Sequence, residues 1–419
     1  MAAASRGHTE IVSLLLADPT AAELAIAVNK SGANALLLAA QSGHGDVVKL
    51  LLSIGTAREQ CRVVSANDNN VLIAAAASGH TAVVKHLLAT TAGAALTEMA
   101  TKEGWIALAI AAQNGGTEVV RMLLAQPSAH AQSVAVNKWN FNALMLAAQQ
   151  GRDEAARLLL ALPSAAEQVS AVTKKGHNAL MIAALNGHAN VVSLLLCQPA
   201  AAAQICTQNL EGSNALILAA SDGHLETVRL LLAHPSAAQQ ARTKAKNDAN
   251  ALMVAAQCGY TGVISLLLSM GTAREQASAV LADGVHALML AAQKGHTAVI
   301  SLLLTHADTM HLASEVDSQG CNALMLAADT DGSEEMVKLL LTHPLAENQV
   351  GAVSKIGWTA LKVAIKRENA GPVRLLLGTR SGRAQADRST AAGNALFKFA
   401  EEIGNPAIID LLRQAQPDA

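Results

Sequence analysis

The sequence predicts an all-α chain built as a helical repeat solenoid, and three observations carry that prediction. First, the 419 residues repeat at an interval of 36: asparagine returns at Asn142, Asn178, Asn214 and Asn250, each time opening the string Asn-Ala-Leu. A period between about 20 and 50 residues marks stacked supersecondary units. Second, the apolar class reaches 51% while aromatic residues make up 2%, so the core must be assembled from Ala, Leu, Val, Ile and Met. Such side chains let helices approach closely but do not fill the wide interior of a sandwich or barrel. Third, 9 prolines and 29 glycines are too few for a strand-and-turn architecture, and Ala and Leu are strong helix formers.

Each piece of the repeat has its own reason. Asparagine at the sixth repeat position (Asn34, Asn70, Asn142, Asn178, Asn214, Asn250, Asn322) is a strong helix N-cap, its side-chain oxygen taking an otherwise orphaned backbone N–H, worth about 1 kcal/mol. The first helix therefore starts there. It ends at a glycine (Gly43, Gly79, Gly115, Gly151, Gly187, Gly223, Gly259, Gly295) suited to the left-handed position after a helix. The second helix carries Val-Val-x-Leu-Leu-Leu, an apolar stripe broad enough to pack on two neighbours. No single helix pair can bury itself, so stacking completes the core. Ten full copies fit from 29 to 388, with a partial copy over 1–28 and a divergent capping copy over 389–419. The expectation is one array spanning 1–419.

The recurring string includes Ala39-Ala40, Gly43-His44, Val47-Val48 and Leu50-Leu51-Leu52, and returns as Ala219-Ala220, Gly223-His224, Val228 and Leu230-Leu231-Leu232. This pattern resembles the ankyrin repeat family over essentially the whole chain. Two departures stand out. The family's Thr-Pro-Leu-His is replaced by Asn-Ala-Leu followed by Met, Leu or Ile, and the period is 36 where the family has 33. The resemblance implies an ankyrin-type solenoid that binds proteins through its turn and first-helix face.

The three extra residues fall after the second helix, near Pro127, Pro163, Pro199, Pro235 and Pro344. The residues at this point read as a capping box in Thr20-x-x-Glu23, Thr56-x-x-Glu59, Ser164-x-x-Glu167 and Thr272-x-x-Glu275, where hydroxyl and carboxylate would each satisfy a backbone N–H. A short third helix is expected there, with a longer irregular loop as the alternative. At the start, Ala3 to His8 begin inside a first helix without its asparagine cap, which suggests a fragment or a missed upstream start. In the last copy Lys398, Glu401, Glu402, Asp410 and Arg413 replace residues that are mostly apolar or neutral, as expected of a polar cap.

Thirty basic and 32 acidic residues leave the chain near neutral, which argues against a whole-protein nucleic-acid or membrane field. The longest apolar runs are too short for a membrane span. Five cysteines without a CxxC pair fit reduced thiols in an intracellular, cytosol-like compartment. Six histidines (His8, His44, His80, His188, His224, His296) share one repeat position. Successive layers lie roughly 10 Å apart at helix-packing distances, too far for ligands that each sit about 2 Å from one ion. They are expected to bridge helices. No catalytic constellation, cofactor loop or metal site stands out from the repeat, so the chain is expected not to be an enzyme.

Many basic residues of the second helix have acidic partners three positions earlier, as in Glu118 and Arg121 or Glu154 and Arg157, a self-paired solvated face. A second row in the turns, Lys30, Lys102, Lys138, Lys174, Lys246 and Lys355, reads as less compensated. The scarce aromatics are more informative. Trp105, Trp139, Phe141 and Trp358 occupy the third or fifth repeat position, where other copies hold residues as varied as Ala33, Asn69, His177 and Ser213; no common packing demand requires a ring. Exposed tryptophan is enriched at binding hot spots. The candidate partner-binding residues are therefore Trp105, Trp139, Phe141 and Trp358 with Lys102, Lys138 and Lys174, serving a monomeric scaffold that binds a protein. Two other functions fit the same residues: the targeting region of a larger enzyme or channel, and an RNA or phospholipid binder using the lysine row.

Overall fold

A computed structural model describes residues 1–199 and 204–416. Every regular element among the described residues is helical, with no strand. Part of the third-helix segment of repeat 173–208 and the last residues of the final copy lie outside them. The chain divides into two compact units, Met1–Leu210 and Glu211–Ala419, and the same local rules build each.

Repeat 137–172 shows those rules in the first unit. Its helices are Ala143–Gln149, Asp153–Leu160 and Ala165–Ser170. Asn142 sits in extended backbone before the first helix and accepts the N–H of Met145 at 2.9 Å, as its N-cap assignment requires. Leu144, Met145, Ala147, Ala148, Ala156 and Leu159 are wholly buried; the paired alanines let first helices of successive repeats approach closely. Gly151 then turns the chain at φ +63°, and a Cβ there would lie 2.5 Å from the His188 ring. Conformation and space both demand glycine.

That ring explains the histidine row. His188 Nε2 lies 3.0 Å from the carbonyl of Gln149, the last residue of the preceding repeat's first helix. A carbonyl only accepts, so Nε2 carries the proton and donates. His44, His80 and His296 reach Ser5, Gln41 and Gln257 in the same way at 3.0–3.1 Å. Each satisfies a helix-end carbonyl that would otherwise be orphaned.

The third helix forms where the extra residues predicted it: Ala57–Arg62, Ala129–Val134 and Ala165–Ser170 in the first unit, Ala237–Ala241, Ala273–Ala277 and Ala346–Gly351 in the second. Its expected capping box does not. Thr20, Thr56, Ser164 and Thr272 precede their helices with ψ between 4° and 14°, and none of their side chains caps a backbone N–H. An N-cap needs extended backbone to aim its oxygen back at the helix, and these residues have already turned. The Thr20 hydroxyl donates to Asp18 Oδ1 at 2.6 Å, and the other three accept from a glutamine of the third helix. Gln168 Nε2 reaches both Ser164 Oγ at 3.1 Å and the Leu159 carbonyl of the second helix at 3.0 Å. Gln60 does the same to Thr56 and Leu51, and Gln276 to Thr272 and Leu267.

The same glutamine ties in the first helix through its backbone. Asn142 Nδ2 donates to the Gln168 carbonyl at 2.9 Å, and Asn34 to Gln60, Asn214 to Gln240 and Asn250 to Gln276 at 2.7–2.9 Å. One buried asparagine thus caps its own helix and holds the third helix, while one buried glutamine holds the second. These bonds latch the three helices of a repeat together.

Repeat 281–316 in the second unit lacks it. His286 stands in the asparagine position and Leu312 in that of the glutamine, and the third segment is a 3-10 turn, Met310–Ser314. His286 caps weakly, Nδ1 accepting from Met289 at 3.4 Å. At the chain's beginning Leu14 is 76% exposed, with Ile11, Leu15 and Leu24 also exposed. In the last copy Lys398, Glu401, Glu402, Asp410 and Arg413 are exposed on helices Ala391–Ile403 and Pro406–Gln414.

Candidate partner-binding surface at the turn tips

The tip of each repeat is a tight turn fastened at its base. In repeat 137–172 the buried Asn137 Oδ1 accepts the N–H of Trp139 at 3.0 Å and of Phe141 at 2.9 Å, while the Asn137 N–H donates to the Phe141 carbonyl. Asn140 closes the turn at φ +64°, a conformation asparagine tolerates. Other tips use glycine: Gly104 stands at φ +86°, where a Cβ would meet the Asn137 backbone at 2.8 Å. Successive tips are therefore pressed together, and they are stitched as well. The N–H of Lys138 donates to the Glu103 carbonyl at 2.8 Å and that of Lys174 to the Trp139 carbonyl at 3.1 Å.

These stitches bring Trp105 and Trp139 together, ring centroids 6.0 Å apart and planes tilted by 53°. Trp139 remains 41% exposed; Trp105 and Phe141 are half-buried. The Lys138 ammonium lies 4.4 Å from the Trp139 centroid and bonds to Glu103, whose other carboxylate oxygen accepts the Trp105 indole N–H at 3.3 Å. Those bonds, first from Lys138 and then from Trp105, hold the Glu103 carboxyl below the usual carboxylate range. Lys102 pairs with Asp68 at 2.9 Å. The expectation that the turn lysines are less compensated is thereby corrected for two of them: their partners sit on the preceding tip, beyond the range of a local reading. Lys174 is exposed and forms no ion pair among the described residues.

Trp358 belongs to the second unit and makes a separate cluster. Its ring meets Phe399 edge-on at 5.9 Å, with Lys362 Nζ 5.2 Å and Lys366 Nζ 4.9 Å from its centroid. Phe399, which the repeat pattern did not single out, comes from the long first helix of the last copy. Four of the second-helix pairs form as expected, Arg121–Glu118, Arg157–Glu154, Arg229–Glu226 and Lys338–Glu335 at 3.2–3.6 Å.

Among the described residues no group of three or more His, Cys, Asp or Glu is placed to hold a metal ion, and no helix is long and apolar enough to cross a membrane. Burial pushes the Cys61 thiol up to about 11, leaving it protonated and unreactive at neutral pH. Burial, with a smaller contribution from His311, pulls His286 down to about 4. A family model described as ankyrin repeats (3 copies) matches residues 1–62, 56–135, 130–209, 200–276 and 272–352. No curated protein matches the chain.

Proposed function

Because the chain belongs to the ankyrin repeat family, whose repeats are in general protein-interaction modules, we propose that it is a protein-binding scaffold that uses the turn tips and first-helix face. The observation that carries this reading is the Trp105–Trp139 pair, held in place by backbone stitches while Trp139 stays exposed. An aromatic pair fixed before binding loses little entropy when a partner covers it. Phe141 and Lys174 extend the surface, Lys102 and Lys138 frame it, and Trp358 supplies an anchor in the second unit. The reading takes 29–388 as ten repeats of one array with a partial copy before and a cap after, monomeric and intracellular. It assigns no catalytic residue. The pairing of Lys102 with Asp68 and of Lys138 with Glu103 takes away charges on which an RNA or phospholipid reading would depend.

Affinity capture with the intact chain and with a Trp105→Ala/Trp139→Ala variant tests the proposal. A protein retained by the first and lost by the second, at unchanged melting temperature, is the expected result. Retention of the same partners by both would place the binding surface elsewhere.

A further inference from the structure

The Trp358 cluster differs from the first in what its lysines do. Lys362 and Lys366 both converge on one indole, and Lys362 also lies 5.3 Å from the Phe399 centroid. Neither forms an ion pair among the described residues. The carboxylate that senses Lys366 is Asp329, and Arg367 already grips it with two bonds of 2.7 and 2.9 Å. The Lys138 ammonium, by contrast, has Glu103. Contact with a ring face satisfies an exposed ammonium only in part, so two unpaired ammoniums on one ring leave a local field open to an anion.

Lys362 also lines a cleft of about 220 Å³, together with Gly357, Thr359, Gln385, Ala392, Ala395 and Leu396. Its walls are mostly small or apolar and Lys362 stands at its side. A bound group therefore has to offer an apolar side chain to the cleft and a carboxylate to the lysines. We propose that this site takes an acidic, extended peptide segment of a protein partner, an acidic side chain bridging Lys362 and Lys366 and a neighbouring aliphatic side chain entering the cleft against Leu396. The proposal rests on reading the chain as a protein-binding module, and adds the chemistry of the partner.

The test is fluorescence anisotropy with the full chain and a labelled short peptide of glutamates with interspersed leucines, against a twin in which every glutamate is glutamine. The expected result is saturable binding of the acidic peptide, at least about tenfold weaker binding of the twin, and weakening of the acidic peptide between about 50 and 200 mM salt. Lys362→Gln/Lys366→Gln should lose the peptide by a similar factor at unchanged melting temperature, and Lys362→Arg/Lys366→Arg should keep it. Equal binding of the two peptides, no binding of either, or indifference to Lys362→Gln/Lys366→Gln would overturn the proposal. So would sedimentation with phosphatidylserine vesicles in the absence of peptide binding. Loss of the peptide in Trp105→Ala/Trp139→Ala instead would move the acidic site to the first unit and leave the protein-binding reading standing.

Discussion

Repeats 137–172 and 281–316 obey the same 36-residue pattern and are held together differently. In the first, Asn142, Gln168 and Ser164 bond three helices together, and the tip carries Trp139 and Phe141. In the second, a buried histidine replaces the asparagine, its Nε2 without a hydrogen-bond partner, and Thr309 makes a substitute bond of 2.6 Å to the Leu303 carbonyl. The tip there carries Val285 and no ring. What secures a repeat and what it presents at its tip are set by different residues. Stability and binding should therefore separate under mutation, and one repeat should fail under conditions that leave the other intact.

The largest expected difference is in acid. His286 is held at about 4 in the folded chain and titrates near 6.5 when unfolded. Its neutral form is the one that fits, so its stabilisation is complete above about pH 6.5 and is lost as the pH falls towards 4. The loss amounts to about 3 kcal/mol. Urea unfolding of the natural chain and of His286→Asn at pH 7 and pH 4 measures it: the variant should lose markedly less on acidification. Equal losses would mean that burial does not hold His286 neutral.

Next in size is the latch. Asn142→Ala removes a cap worth about 1 kcal/mol and leaves the Gln168 carbonyl without its donor, worth about 1 kcal/mol more. A total near 2 kcal/mol is expected, where Lys174→Ala should stay within about 0.5 kcal/mol. Equal effects in thermal melts would show that Asn142 serves only as packing. The smallest effect concerns the tip itself: Glu103 should titrate below the usual carboxylate range by NMR, and Lys138→Gln should bring it back up, Lys138 being the larger cause of its shift. A Glu103 that titrates normally in the natural chain would contradict the paired tip.

How much of the molecule was legible in the sequence depends on the reach of each interaction. The asparagine caps and helix-ending glycines act within three or four residues, and so could be read directly. The latch could not, because Asn142 and Gln168 are 26 residues apart. A signal for it existed: glutamine returns at Gln60, Gln132, Gln168, Gln204, Gln240 and Gln276 in a fixed register, an unusual constancy for a polar residue beside variable neighbours. The capping boxes do not form, and Ser-x-x-Glu spacing says nothing about whether the backbone before the helix is extended. Lys138 reads as uncompensated in sequence because Glu103 lies 35 residues earlier, and Phe399 carries no repeat signal because the last copy departs from the register. The aromatic tips were identified by the opposite logic, as residues the repeat does not need.

The central claim, that the tip binds while the latch holds, is tested most directly by one variant measured twice. Trp139→Ala should melt within about 0.5 kcal/mol of the natural chain and bind the captured partner at least about 2 kcal/mol more weakly. A Trp139→Ala chain that melts much earlier, and binds that partner normally once folded, would make the ring a packing residue and contradict the account.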